Sequence, residues 1–191
     1  MSTLRTIKQN LALESHDPLS QLDFNERTIE QTMEVLPGGT RRLAAQLRTR
    51  TNFDALWNVL TNYDHLSEFI PNLASSKLVF RDENRIHLRQ VGSQEFFGFT
   101  FSAEVLLELI ENKADGILKF SLLEGDFRRF EGSWAIKQSA SGQGSSIIYE
   151  LIVQGCFGMP VSLIEDRLRI DLTNNLLAVE KASFEMLAKS N

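Results

Sequence analysis

The sequence predicts an α+β protein in which a curved antiparallel sheet of about seven to eight strands wraps one long C-terminal helix. Three observations carry this expectation. After Pro160 the chain has no proline or glycine as far as Leu187, while Val161, Ile164, Leu168, Leu172, Leu176 and Val179 recur at three to four residues. That spacing puts one apolar stripe on a helix. Between residues 73 and 153, apolar and polar residues alternate in run after run, each ended by Gly, Asn or Asp, as half-buried strands require. Between residues 53 and 70 the period changes to that of two short helices, placed after a first core strand.

Taken in order, residues 1–27 are mixed in character and form an N-terminal extension expected to be loose or disordered. The segment from Thr28 to Leu36 puts Ile29, Met33 and Val35 on one strand face, and Pro37-Gly38-Gly39 breaks it. Leu43, Ala45 and Leu47 then alternate with Arg42, Ala44, Gln46 and Arg48 in a partner strand. Asn52 or Thr51 caps a helix that carries Phe53, Leu56, Trp57 and Leu60 on one face, with Asp54 in its first turn. A second short helix opens at Asp64 and stops at Pro71.

Strands follow. Leu78 and Phe80 share a face, and Ile86, Leu88 and Gln90 share the next. Residues 92–98 are expected to be a loop. Phe99, Phe101, Ala103, Val105, Leu107 and Leu109 form the clearest strand face in the chain. Leu118, Phe120 and Leu122 alternate up to Gly125-Asp126. Phe130, Gly132, Trp134 and Ile136 share a face, and SASGQGSS is a hairpin loop. Ile147, Tyr149, Leu151 and Val153 point inward from the last strand. The helical stripe continues through Phe184 and Leu187, about 28 residues or ~40 Å of helix. A helix that long needs a long apolar surface, and these inward faces supply one.

Composition narrows the function. The chain has 191 residues, a net charge of −5 and 13 Phe against two Trp and two Tyr. Acidic excess argues against a nucleic-acid partner, which demands concentrated Lys and Arg. The cluster of Arg41, Arg42, Arg48 and Arg50 reads as a solvated strand face. One cysteine, Cys156, excludes an internal disulfide framework and suits a reducing, cytoplasmic setting. His16, His65 and His87 have no metal-ligand spacing. Neither a metal nor a cofactor is expected. MSTLRTIKQN lacks the apolar run of a signal peptide, and no stretch is apolar enough to span a bilayer.

The order strand, two short helices, six strands and long helix resembles the helix-grip layout of START-like and birch-pollen-allergen proteins. FDALWNVLTNYDHLSEFIPNL (53–73) resembles the helix pair of the polyketide cyclase/dehydrase and lipid-transport family, which includes coenzyme Q-binding START-like proteins. EGDFRRFEGSWAI (124–136) and RLRIDLTNNLLAVEKAS (167–183) resemble its Phe-Gly-Trp strand and C-terminal helix. The resemblance covers residues 41–188 and implies a START-like domain over 28–188 with an internal cavity for a hydrophobic small molecule. A lipid, quinone or isoprenoid is the implied occupant, with transport or chaperoning as the role. The alternative it implies is a polyketide cyclase/dehydrase-type enzyme in the same cavity.

The expected lining is Gln90, Phe99, Phe101, Leu107, Phe120, Phe130, Trp134 and Tyr149 from the sheet, with Ile164, Leu168 and Leu172 from the helix. Each is equally a core residue if the interior is filled. Gln90, Tyr149 and Trp134 carry inward polar atoms that either bond one another or orient a ligand. Arg167 and Asn175 are further candidates, although Arg167 also matches a surface pair with Asp171 at helical spacing. No His, Asp or Glu is expected to face inward, so a binder is favoured over an acid–base enzyme. GCFGMP (155–160) is either a plain strand-to-helix loop or an apolar strip suited to transient membrane contact.

Overall fold

In the computed structural model, which describes residues 5–12, 26–96, 99–139, 144–156 and 161–189, nine strands form one antiparallel sheet. The strands are β1 (Arg5–Ala12), β2 (Glu26–Val35), β3 (Arg41–Thr49), β4 (Leu73–Asp82), β5 (Arg85–Phe96), β6 (Phe99–Asn112), β7 (Ile117–Gly125), β8 (Phe127–Gln138) and β9 (Ser145–Gly155). Helix α1 (Phe53–Leu60) and a 3₁₀ turn (Tyr63–Glu68) connect β3 to β4, and α2 (Val161–Lys189) ends the chain. The sheet order is β1-β2-β3-β9-β8-β7-β6-β5-β4. Strand β9 therefore returns beside β3, and the path from β4 to β9 is a run of hairpins.

The curved sheet, the two short helical elements and the long terminal helix form the START helix-grip architecture. It differs from expectation by one strand. Arg5–Ala12, within the extension expected to be loose, runs antiparallel to β2, with Ile7 opposite Gln31. Backbone pairing to an edge demands no apolar alternation, so the sequence pattern there is weak.

The inward strand faces and α2 make the core. Leu43 and Leu47 of β3 and Ile147 of β9 are buried against Leu172, Leu176 and Val179 of α2. Asn52 caps α1, its Oδ1 accepting from the Ala55 N–H at 2.8 Å, which satisfies one of the free donors of the first turn. Phe53 stacks on Trp57 along that helix, with centroids 6.0 Å apart. On one flank of α2, Arg41 of β3 forms an ion pair with Glu165, and Gln31 of β2 donates to the Arg169 carbonyl at 2.7 Å.

Four expected details are corrected. Residues 92–96 are not loop: β5 continues to Phe96, paired with β6 as far as Phe96 opposite Phe99. Ladder bonds and the Ser93 N–H, which donates to the Asn72 carbonyl at 2.8 Å, hold this stretch where no apolar alternation marks it. Val35 is exposed because the inward face ends before the Pro37 turn. Phe80 is exposed because a bulge between Leu78 and Phe80 shifts it onto the outer face, where it packs on His87 at 5.0 Å. Phe184 faces outward, since the helical period from Val179 runs through Ser183 instead. Ser183 is fully buried, donating to the Glu180 carbonyl at 2.6 Å and lying 3.2 Å from the Thr51 hydroxyl.

Candidate ligand cavity

Between the sheet and α2 the side chains do not close up. They leave a cavity of about 240 Å³. The sheet supplies its floor. Leu88 and Gln90 come from β5, and Leu107 and Leu109 from β6. Phe120 of β7, Phe130 and Trp134 of β8, and Tyr149 and Leu151 of β9 continue it. The roof is α2, through Leu168, Asp171, Leu172 and Asn175, which recur at positions i, i+3, i+4 and i+7 on one face. Leu60, Tyr63, Leu66 and Ile70 close one end. Pro71 and Asn72, both exposed, lie on the wall and mark where the cavity meets the surface.

The floor is aromatic along one line. Trp134 and Tyr149 stack face to face with centroids 4.0 Å apart and planes 6° from parallel. Phe120 lies 6.2 Å from Tyr149 and 5.8 Å from Phe130. Gly132, opposite Phe120 in the β7–β8 register, leaves room for that ring. A Cβ there would lie 2.7 Å from Phe120 Cζ.

Eight of the eleven side chains expected on the lining are found there, Gln90, Leu107, Phe120, Phe130, Trp134, Tyr149, Leu168 and Leu172, and so is the further candidate Asn175. The side chains of Phe99, Phe101 and Ile164 lie outside the described residues. Gln90 donates to the Ser76 hydroxyl at 3.2 Å. Most of GCFGMP lies outside the described residues; Cys156 is exposed, with its thiol donating to the Asp126 carbonyl.

The expectation that no acidic group faces inward is overturned by Asp171. Its Oδ1 accepts from Asn72 Nδ2 at 3.1 Å and its Oδ2 from Gln94 Nε2 at 2.8 Å. Arg167 stands 3.9 Å from Oδ1. The i,i+4 relation to Arg167 pointed to a surface pair. The i,i+3 relation of Asp171 to Leu168, which puts it on the apolar face, was the signal for burial. Asn72 was not visible as a site residue. It reaches Asp171 from a left-handed turn (φ 61°) just after Pro71, a conformation asparagine tolerates.

Burial raises the Asp171 pKa above the ordinary carboxylate value, partly offset by Arg167 and the two amide donors. Tyr149 is also pushed up, by burial and by the nearby Asp171 charge, so it remains a neutral phenol. Tyr63 behaves alike through burial and through its hydroxyl, which donates to Glu111 Oε1 at 2.7 Å. Among the described residues no cluster of His, Cys, Asp and Glu is placed to hold a metal ion, and no helix is long and apolar enough to cross a membrane.

The family described as polyketide cyclase/dehydrase and lipid transport matches residues 52–180. The chain belongs to that family. This cyclase/dehydrase and lipid-transport family member finds no match among curated proteins. Solved structures share its fold. The STAR-related lipid transfer protein of Xanthomonas axonopodis is 15% identical with a TM-score of 0.69, over 81% of this chain and 93% of that one. Human StAR-related lipid transfer protein 5 is 7% identical with a TM-score of 0.64, over 83% of each chain. The Zhui aromatase/cyclase of Streptomyces sp. R1128 is 11% identical with a TM-score of 0.62, over 77% of this chain and 93% of that one. At such identities the likeness establishes architecture alone.

The buried carboxylate gives this family member a pH signature. With the folded pKa of Asp171 above its unfolded value, the native state binds the proton more tightly. Its ionisation therefore opposes folding, and the penalty is relieved as pH falls through the raised pKa towards the ordinary value of 3.8. The wild type is expected to gain stability relative to Asp171→Asn on acidification from neutrality, and the gap is expected to flatten below that ordinary value. Melting temperatures of both proteins across this range check the sign; a gap that is constant with pH contradicts it.

Proposed function

We propose that this protein binds an apolar small molecule, a lipid, quinone or isoprenoid, inside the cavity between the sheet and α2, and carries or shields it. The observation that carries this reading is the lining: an aromatic and aliphatic wall with a few polar groups, the usual make-up of a small-molecule site. The volume of about 240 Å³ lies just below the ~300–1,000 Å³ range of such sites. It suits a compact ring or the leading part of a chain. Gln90, Phe99, Phe101, Leu107, Phe120, Phe130, Trp134, Tyr149, Ile164, Leu168 and Leu172 are the proposed contacts, and residues 28–188 the binding domain. A lone exposed Cys156 fits a cytoplasmic setting.

A second reading, a cyclase/dehydrase-type enzyme in the same cavity, draws on Asp171. The first is preferred because both Asp171 oxygens are already engaged by Asn72 and Gln94, and a general base needs an oxygen within reach of a substrate proton.

The test is extraction of the purified protein into organic solvent followed by mass spectrometry, with thermal shifts against a panel of lipids, quinones and isoprenoids. A co-purifying apolar molecule is expected, together with a rise in melting temperature of about 5 °C or more at a hundredfold excess over Kd. An empty extract combined with no shift from any compound refutes the binding reading. Chemical conversion of a bound compound, lost in Asp171→Asn, favours the enzyme instead.

A further inference from the structure

The polar atoms on the cavity wall differ in how far they are satisfied. Asp171 has a partner on each carboxylate oxygen. Gln90 has Ser76. Asn175 stands one helical turn beyond Asp171 on the same face of α2 and lines the cavity. Its Oδ1 is buried and accepts no hydrogen bond among the described residues. A buried acceptor without a donor is unfavourable, and native interiors rarely retain one. Beside an open cavity, the missing donor belongs to whatever fills that cavity.

The charge on the wall narrows the choice. Among the described lining residues Asp171 is the one carboxylic acid, and none is Lys or Arg. Arg167 approaches Asp171 but is not part of the wall. A carboxylate or phosphate placed at this end would face Asp171, whose charge Arg167 at 3.9 Å only partly offsets, and no Lys or Arg among the described lining residues neutralises it. A neutral O–H or N–H meets neither objection.

We infer that the cavity selects an uncharged apolar molecule carrying a single hydroxyl or equivalent donor, which it accepts at Asn175 Oδ1, and that it rejects the matching acid. This rests on the binding reading above and adds the chemical class of the ligand's polar end. Asn175 is thereby assigned as a specificity-determining residue, while Asp171, held by Asn72 and Gln94, supplies the exclusion of anions.

Three probes of one chain length test it: decanol, decyl methyl ether and decanoate, titrated calorimetrically at a pH where decanoate is ionised. Wild type is expected to bind decanol about tenfold more tightly than the ether, the scale of one net hydrogen bond, and decanoate more weakly than either. Asn175→Leu is expected to bring decanol down to the ether's affinity while leaving the ether within about threefold of its wild-type value. Asn175→Asp keeps an acceptor at the position and is expected to keep the preference for decanol. Equal binding of decanol and ether by wild type overturns the inference, with no variant needed. A preference for decanol that survives in Asn175→Leu overturns it as well. If none of the three probes binds wild type although the extract or the panel above yields a ligand, this inference falls and the binding reading stands; if the extract and the panel are empty as well, the binding reading falls and takes this inference with it.

Discussion

Leu168→Trp is expected to weaken ligand binding by about a hundredfold or more, equivalent to about 2.7 kcal/mol, while leaving the melting temperature within a few degrees of wild type. Leu168 stands on the roof of the cavity and is only half-buried. An indole at this position has the cavity beside it to extend into. The overpacking penalty of about 1–3 kcal/mol that meets a large side chain in a filled core is therefore avoided. The ligand, in contrast, loses the volume it needs, in a cavity of only about 240 Å³. Isothermal titration with the co-purified molecule, beside a thermal melt, separates the two effects. Val79→Trp, on an exposed edge-strand position, serves as the control and is expected to change neither. Affinity within about threefold of wild type in Leu168→Trp would mean that the ligand lies outside this cavity.

Gly132→Val is expected to cost about 3 kcal/mol of stability or more, a large share of the ~5–15 kcal/mol that holds a domain together. Two separate collisions produce this. A Cβ on residue 132 would lie 2.0 Å from the Glu150 carbonyl oxygen of β9 and 2.7 Å from Phe120 Cζ of β7. The second contact is with the end of a side chain, which can turn away. The first is with backbone inside a paired strand, so the β8–β9 ladder itself must shift. Phe120→Ala in the Gly132→Val background is accordingly expected to recover little of the loss. Urea denaturation of the two single variants and the double variant measures this. A loss under about 1 kcal/mol in Gly132→Val, or full recovery in the double variant, would show that the close approach to Glu150 does not govern the site.

How much of the cavity was legible in the sequence depends on the kind of signal each residue carries. Leu107, Phe120, Trp134 and Tyr149 belong to runs of period two, and such a run states which side of a strand faces inward. Leu168 and Leu172 belong to a stripe of period 3.6, which does the same for a helix. Asp171 lies on that same stripe, yet an acid four residues after Arg167 equally satisfies a surface pairing rule. Local spacing holds both readings at once. Asn72 and Gln94 come from a turn and from a strand end with no apolar pattern. Their part appears only when β4 and β5 bring them up to α2 from about 80 to 100 residues away in sequence, at contacts of 3.1 and 2.8 Å.

By itself, then, the sequence determined the class of fold, the inward faces of the strands from Ile86 to Val153 and the middle of the long helix. These follow from periodicity, which is local and repeated many times over. Only the tertiary structure decided that β5 continues to Phe96, that Ser183 rather than Phe184 is buried, and that a void remains between sheet and helix. It alone brought to that void an acid held by two amides and a carbonyl with no partner among the described residues. The reason is physical. Periodicity says which way a side chain points, but whether facing side chains meet depends on how strongly the sheet curves and how far the helix stands above it. Those distances are set by the whole packing, through Gly132 beneath Phe120 and through the ties from Arg41 and Gln31 to α2.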